Sequence, residues 1–138
     1  MKKHKIIIDT NLWISLLIGK HLLELRSLCD SDSVDVYTCK ELKAEFTRIA
    51  SLEKIKKYAG DERVAQTLEL MNVSCIFVEI KDSVVSSDLR DTDDLYLLSL
   101  AETVNADFIL TGDKDLLTLC SHGQTQIMTY SAFISEVL

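Results

Sequence analysis

Short apolar segments of strand length alternate with longer segments of helical periodicity along this 138-residue chain. The first, residues 5–9 (KIIID), is a β-branched run ended by an acid, which predicts a strand buried on both faces. Further strands are predicted at 34–38, 74–80, 107–111 and 126–129, the last of them at a sheet edge. Because parallel strands need crossover connections, the alternation predicts a three-layer α/β/α fold around a central, mostly parallel sheet.

The segments between these strands carry the spacing of amphipathic helices. The clearest is residues 91–104, whose apolar stripe consists of Leu97, Leu98, Leu100, Ala101 and Val104. Other helices are predicted from residue 10, at 22–29, 40–49, 52–58 and 61–72, from about residue 113, and at 130–138. The chain has no proline and only four glycines, so nothing marks a linker between domains. One domain over residues 1–138 is therefore predicted.

The apolar runs and the cysteines constrain the compartment. The longest apolar runs are far too short to cross a bilayer, and the basic N-terminus lacks the apolar core of a signal peptide. These features predict a cytoplasmic protein with no membrane partner. The four cysteines form no Cys-x-x-Cys pair and have no zinc-ligand spacing with histidine. That pattern favours free, mostly buried thiols over a disulfide framework or a zinc site.

The net charge of −7 taken alone argues against a nucleic-acid partner, but its distribution along the chain reverses that argument. Residues 40–63 carry seven Lys and Arg against five acids, whereas residues 79–115 carry ten acids against three bases. This polarity is compatible with an acidic, metal-binding pocket beside a surface that contacts phosphates. Within the basic segment the candidate RNA contacts are Lys54, Lys56 and Lys57. An ordinary solvated face explains any single lysine equally well.

Several acids are predicted to meet at one edge of the sheet. Asp9 ends the first strand, and Asp113 follows the strand at 107–111. Asp91 and Asp94 open the clearest helix, and Glu45 lies on the helix that follows the second strand. In a parallel sheet, sites form outside the carboxyl ends of the strands, where these acids are expected.

Each acid also has a purely structural explanation. Asp9 or Asp113 can cap the following helix, Asp91 and Asp94 have the spacing of a capping box, and Glu45 can face solvent. Taken together these explanations weaken, because converging carboxylates repel one another unless a cation binds among them. Oxygen ligands without His or Cys favour Mg²⁺ or Mn²⁺ over zinc. Such a site usually acts on phosphate esters.

Four segments, in this order, resemble the PIN domains and, within that family, the VapC-like toxins of bacterial toxin–antitoxin pairs. The segments are 8–11 (IDTN), 42–46 (LKAEF), 90–101 (RDTDDLYLLSLA) and 106–117 (ADFILTGDKDLL). The last is the most specific, with a Thr-Gly-Asp-x-Asp-Leu sequence after a strand. The chain departs from the family in lacking the usual proline near residues 91–94.

The resemblance implies an endoribonuclease that depends on Mg²⁺ or Mn²⁺, with an antitoxin protein and a homodimer as expected partners. The acidic positions of the family fall on Asp9, Glu45, Asp94 and Asp113, as catalytic residues and metal ligands. Supporting positions fall on Asn11, Asp91, Thr111 and Asp115. Two assignments stay open: Glu41 competes with Glu45, and Asp91 or Asp93 can share the role of Asp94.

Two other functions remain as alternatives. A phospho-receiver domain would need an acid pair after the first strand, but Asp9 has no acidic neighbour, and the strand at 74–80 lacks a matching pocket. A catalytically inactive PIN-like module would bind RNA or a protein partner without cleavage. Such modules usually lack one of the four acids, and this chain has all four.

Overall fold

The computed structural model of the protein describes residues 3–19, 21–80 and 95–138. Within these ranges the strands are β1 (His4–Ile8), β2 (Val34–Thr38), β3 (Ile76–Phe77), β4 (Phe108–Leu110), β5 (Ser121–His122) and β6 (Thr125–Met128). The helices are α1 (Thr10–Ile18), α2 (Leu22–Cys29), α3 (Lys40–Ala50), α4 (Glu53–Lys56), α5 (Asp61–Ser74), α6 (Leu95–Val104), α7 (Lys114–Leu119) and α8 (Tyr130–Glu136).

The strands form one sheet in the order β3-β2-β1-β4-β6-β5. Every neighbouring pair is parallel except β5 and β6, and helices cover both faces of the sheet. The predicted three-layer α/β/α fold with a mostly parallel sheet is therefore confirmed. From β1 the chain adds β2 on one side and later β4 on the other, so the strand order reverses between β1 and β4. Open α/β sheets bind ligands in the crevice at such a switch point.

The core is built around the central strand β1, whose three isoleucines at residues 6–8 are at most 1% exposed. Helix α1 buries Trp13 and helix α3 buries Phe46, and the two rings meet edge to face with their centroids 6.5 Å apart. Aromatic pairs of this geometry stabilise packing beyond the area they bury. The contact helps to hold α3 against α1, and α3 is the helix that carries Glu45.

The predicted strand at 74–80 is wrong in its extent. Helix α5 continues to Ser74, and the amide of Cys75 still donates to the carbonyl of Met71 at 3.2 Å. Strand β3 is only Ile76–Phe77, and both of its side chains are exposed. A short apolar run does not distinguish a strand from the end of a helix, which is why the sequence pattern extended the strand too far.

The predicted last strand exists, as β6, but it does not lie at the sheet edge. Strand β5 pairs with it antiparallel and forms the edge instead. The two strands are joined by a tight turn in which Gly123 adopts φ +60, a conformation that glycine adopts without steric cost. Strand β5 has only two residues, too few to show the alternation of apolar and polar residues from which a strand is predicted.

The prediction for the cysteines is confirmed: all four are free, and Cys29, Cys39 and Cys75 are buried, whereas Cys120 is exposed. Among the residues described, no helix is long and apolar enough to cross a membrane.

Candidate active site

The carboxylate of Asp9 lies at the centre of the site. Asp9 follows β1 directly and is 1% exposed. It occupies the cap position of α1, but its side chain makes no capping hydrogen bond there. Its Oδ2 instead accepts a 2.8 Å hydrogen bond from the hydroxyl of Thr111, across the crevice between β1 and β4. The hydrogen bond from Thr111 therefore ties this acid to the end of β4, and the amide of Asn11 in the first turn of α1 also interacts with it.

Burial, neighbouring charges and hydrogen bonds, including one from the backbone of Asn11, set the pKa of Asp9. Burial raises its pKa above the ordinary value and is the largest cause, and the hydrogen bond from Thr111 opposes it. The negative charges of Asp113 and Glu45 raise the pKa further. These influences place Asp113 and Glu45 within electrostatic reach of Asp9, so two of the other predicted acids act on this carboxylate.

Thr111 connects the two acids at the ends of β1 and β4. Its hydroxyl donates to Asp9, and the same oxygen accepts from the amide of Asp113 at 3.0 Å. Asp113 caps α7, with its Oδ1 accepting from the amide of Asp115 at 2.9 Å. The capping role of Asp113 and its place beside Asp9 are compatible, because this bond involves only one carboxylate oxygen. The side chain of Asp115 itself is exposed.

Glu45 reaches the site from α3. The neighbouring Leu42 and Phe46 are fully buried, and Glu45 lies half-buried at the flank of that buried face. Its Oε1 is 3.5 Å from the hydroxyl of Tyr96, at the outer limit of a hydrogen bond. Glu41 is exposed, so between the two competing acids the geometry favours Glu45.

Tyr96, on α6, is a site residue that the sequence patterns did not identify. Its hydroxyl lies 3.0 Å from the hydroxyl of Thr10, which is fully buried. Burial, followed by the charges of Glu45 and Asp9, raises the pKa of Tyr96, so the phenol stays protonated. A chain of hydroxyls thus runs from Thr10 through Tyr96 to Glu45. The only signal in the sequence was a polar hydroxyl beside the apolar stripe of α6.

A small open pocket of about 190 Å³ lies beside these residues. It is lined by Asn11, Leu12, Ser15, Gly112 and Asp113. The pocket joins the start of α1 to the loop after β4, so the supporting residue Asn11 faces the same space as Asp113. Gly112 is exposed there, and apart from its two chain neighbours no described residue comes within 4 Å of the position that a Cβ would take.

Two groups of predicted residues remain to be placed. Asp91, Asp93 and Asp94 lie outside the described residues. The three candidate RNA contacts, Lys54, Lys56 and Lys57, are exposed. They lie on and just after α4, a short helix that follows the end of α3 farther from the crevice. In the described ranges, no three His, Cys, Asp or Glu side chains are grouped closely enough to hold a metal ion.

The chemistry of the donor set nevertheless fits a hard divalent cation. Asp9, Glu45 and Asp113 offer carboxylate oxygens, the ligands that Mg²⁺ and Mn²⁺ prefer. In the described part of the chain, none of the three forms an ion pair with Lys, Arg or His. A buried carboxylate with acidic neighbours and no basic partner carries repulsion that a bound cation would relieve.

Comparison with known proteins identifies the family of this chain. Residues 5–115 match the family model described as the PIN domain, a span that covers β1 to the start of α7. The chain is also similar to the uncharacterized protein MJ1680 of Methanocaldococcus jannaschii, with 32% identity over 120 residues. That match covers 85% of this chain and 76% of the relative.

Proposed function

Because the chain belongs to the PIN-domain family, whose members are generally nucleases, we propose that it is an endoribonuclease dependent on Mg²⁺ or Mn²⁺. The observation that carries the proposal is the buried carboxylate of Asp9, with Asp113 and Glu45 near it and no basic partner in the described ranges. An anionic cluster of this kind repels an RNA phosphate unless a cation lies between them. Asp94 is proposed as the fourth acid, with Asp91 or Asp93 able to share its role.

The metal, when bound, would neutralise the phosphate and lower the pKa of a water molecule for attack on phosphorus. The protein would hold the ligand oxygens in place. Thr111 donates to Asp9 and accepts from the Asp113 backbone, so one hydroxyl fixes the ends of β1 and β4 relative to each other. Tyr96 directs its proton toward Glu45 while its oxygen faces Thr10. Such supporting contacts orient ligands and tune their affinity for metal.

A more specific biological role is supported by the resemblance of the sequence motifs to those of VapC-like toxins. We propose that the protein is the toxin of a toxin–antitoxin pair, formed by one domain over residues 1–138 and acting in the cytoplasm. An antitoxin protein and a second copy of the chain are its proposed partners. Lys54, Lys56 and Lys57 are proposed RNA contacts, because an acidic pocket alone does not attract phosphates.

Calorimetric titration with Mn²⁺ tests the metal site. Wild-type protein is expected to bind Mn²⁺ weakly without RNA, because such ions keep several waters and use substrate phosphates to complete their shell. The double variant Asp9→Asn with Asp113→Asn should lose this binding. A double variant of two exposed acids elsewhere, Glu62→Gln with Glu69→Gln, serves as the control with the same change in charge. Equal binding by all three proteins would refute the assignment of the ligands.

The substitution Tyr96→Phe tests the hydroxyl chain. It keeps the ring and removes the proton that faces Glu45, so the expected result is an unchanged fold with RNA cleavage and Mn²⁺ affinity lowered about tenfold. Tyr37→Phe, at a half-buried tyrosine of β2, is the matched control. Calorimetry with Mn²⁺ measures the effect without cleavage. If both variants bind Mn²⁺ like the wild type, Tyr96 does not position Glu45.

A further inference from the structure

The outer face of α3 and the edge strand β3 enclose an open groove of about 670 Å³. Its polar and charged lining comes from Lys40, Lys43, Thr47 and Arg48 on α3, and its apolar wall includes Phe77 on β3. Lys40, Lys43 and Thr47 recur at intervals of three and four positions, and Arg48 adjoins Thr47, so the four line one side of α3. This face is distinct from the buried face of the helix.

The groove combines unpaired cations with an exposed aromatic ring. None of Lys40, Lys43 and Arg48 forms an ion pair with the residues that the structure describes. Phe77 is 41% exposed, and the ammonium of Lys43 lies 5.9 Å from the centre of its ring. In a chain of net charge −7, a cluster of cations without ion pairs among the described residues is a local exception.

The groove lies along the helix that carries Glu45. Helix α3 begins just after β2, at the carboxyl edge of the sheet where Asp9 lies, and runs away from that edge. Lys40 and Arg48 are eight residues apart, which is about 12 Å along the helix. A strand of RNA that leaves the acidic crevice could therefore follow α3 over several nucleotides.

We propose that this groove binds single-stranded RNA, with the backbone phosphates along Lys40, Lys43 and Arg48 and one base stacked on Phe77. Sites for single strands combine a basic track for the backbone with aromatic rings for the bases. The inference rests on the proposed ribonuclease function, since it supplies the path of the substrate beyond the crevice. An acidic peptide offers charge but no flat base for the exposed ring, so RNA matches both features of the groove.

Fluorescence anisotropy with a labelled 12-nucleotide RNA of mixed sequence, in EDTA, tests the proposal without cleavage. The double variant Lys40→Ala with Lys43→Ala removes two phosphate contacts. It should lower the salt-dependence slope of binding by about 1.4, at about 0.7 per contact for a single strand. The control is Lys3→Ala with Arg26→Ala, which removes two exposed charges outside the groove and should leave the slope near its wild-type value.

Phe77→Leu tests the stacking contact, because it keeps an apolar side chain and removes the flat ring. Its RNA affinity should fall about tenfold at every salt concentration. Leu23→Ala, at an exposed apolar residue of α2, should leave the affinity unchanged. Wild-type affinity and slope in both groove variants would overturn the proposal. Groove-dependent binding of an oligo-glutamate peptide without binding of RNA would also overturn it, in favour of an acidic protein partner.

The binding assay separates this proposal from the proposed function. If the groove variants bind RNA like the wild type while the wild-type protein cleaves RNA with Mn²⁺, only the groove assignment fails. If the wild-type protein binds RNA through the groove but cleaves no RNA with any divalent metal, the ribonuclease proposal fails.

Discussion

Replacing Asp9 with asparagine should lower metal-dependent RNA cleavage by about a hundredfold or more, equivalent to about 2.7 kcal/mol of transition-state stabilisation. The same substitution should raise the melting temperature of the metal-free protein. The carboxylate is buried among acidic neighbours, and asparagine removes its charge while keeping an oxygen that accepts from Thr111. Functional sites are commonly assembled at a cost to folding stability.

The gain in stability should depend on pH in a defined direction. The pKa of Asp9 is raised in the folded state, so the folded protein binds this proton more tightly than the unfolded chain does. Below the unfolded pKa of about 3.9, Asp9 is protonated in both the folded and the unfolded state, so its charge does not lower the folding stability. As pH rises through the folded pKa, its ionisation destabilises the wild type. The difference in melting temperature in EDTA, Asp9→Asn minus wild type, should therefore grow from pH 4 toward neutrality.

Asp107→Asn is the matched control. Asp107 is a half-buried aspartate at the opposite end of β4, where its Oδ2 accepts from the amide of Lys5 at 2.9 Å. Its substitution should lower the melting temperature slightly and leave cleavage intact. A lower melting temperature for Asp9→Asn at neutral pH, with undiminished cleavage, would show that Asp9 has only a structural role.

Asp94→Asn should also reduce cleavage by about a hundredfold or more, because Asp94 is proposed as the fourth metal ligand from its resemblance to an acidic position of the family. If Asp94 only completes a capping box, the substitution costs some stability and leaves cleavage intact. If it is a ligand, removing its charge relieves repulsion with Asp9 and Asp113. The melting temperature of the metal-free protein should then stay level or rise.

The measurement pairs a melting curve in EDTA with an RNA cleavage assay on the same preparation of Asp94→Asn. Asp91→Asn and Asp93→Asn, assayed in parallel, show whether a neighbouring acid shares the role. A lower melting temperature together with wild-type cleavage would show that Asp94 only caps its helix and does not bind the metal.

The sequence predicted the central elements of the fold well because their burial is strongly patterned. Strand β2 alternates buried and half-buried residues and was predicted with its observed bounds, Val34–Thr38. The isoleucines of β1 and the stripe of α6 are buried as expected. Local patterns failed at the sheet margins, where β3 and β5 have two residues each and their side chains are mostly exposed. Pairing there is decided by neighbouring strands and not by burial.

The sequence predicted only the part of the site that follows from the parallel arrangement of the strands. Strand ends place Asp9, Thr111 and Asp113 at one edge, and their hydrogen bonds are found there. The contact between Tyr96 and Glu45 joins side chains 51 positions apart in the sequence. It depends on how α6 and α3 pack, which no local pattern encodes. The basic groove likewise needs β3 beside α3, so the lysines of α3 could not be distinguished in sequence from those after it.

The claim that these carboxylates make the protein a metal-dependent ribonuclease is tested most directly by RNA cleavage with one purified preparation. Wild-type protein should cleave single-stranded RNA with Mn²⁺ or Mg²⁺, stop when EDTA is added, and recover when excess metal is restored. Asp9→Asn, purified identically, should show about a hundredth of that rate or less. Cleavage that persists in EDTA, or that is equal in the wild type and Asp9→Asn, would contradict the claim.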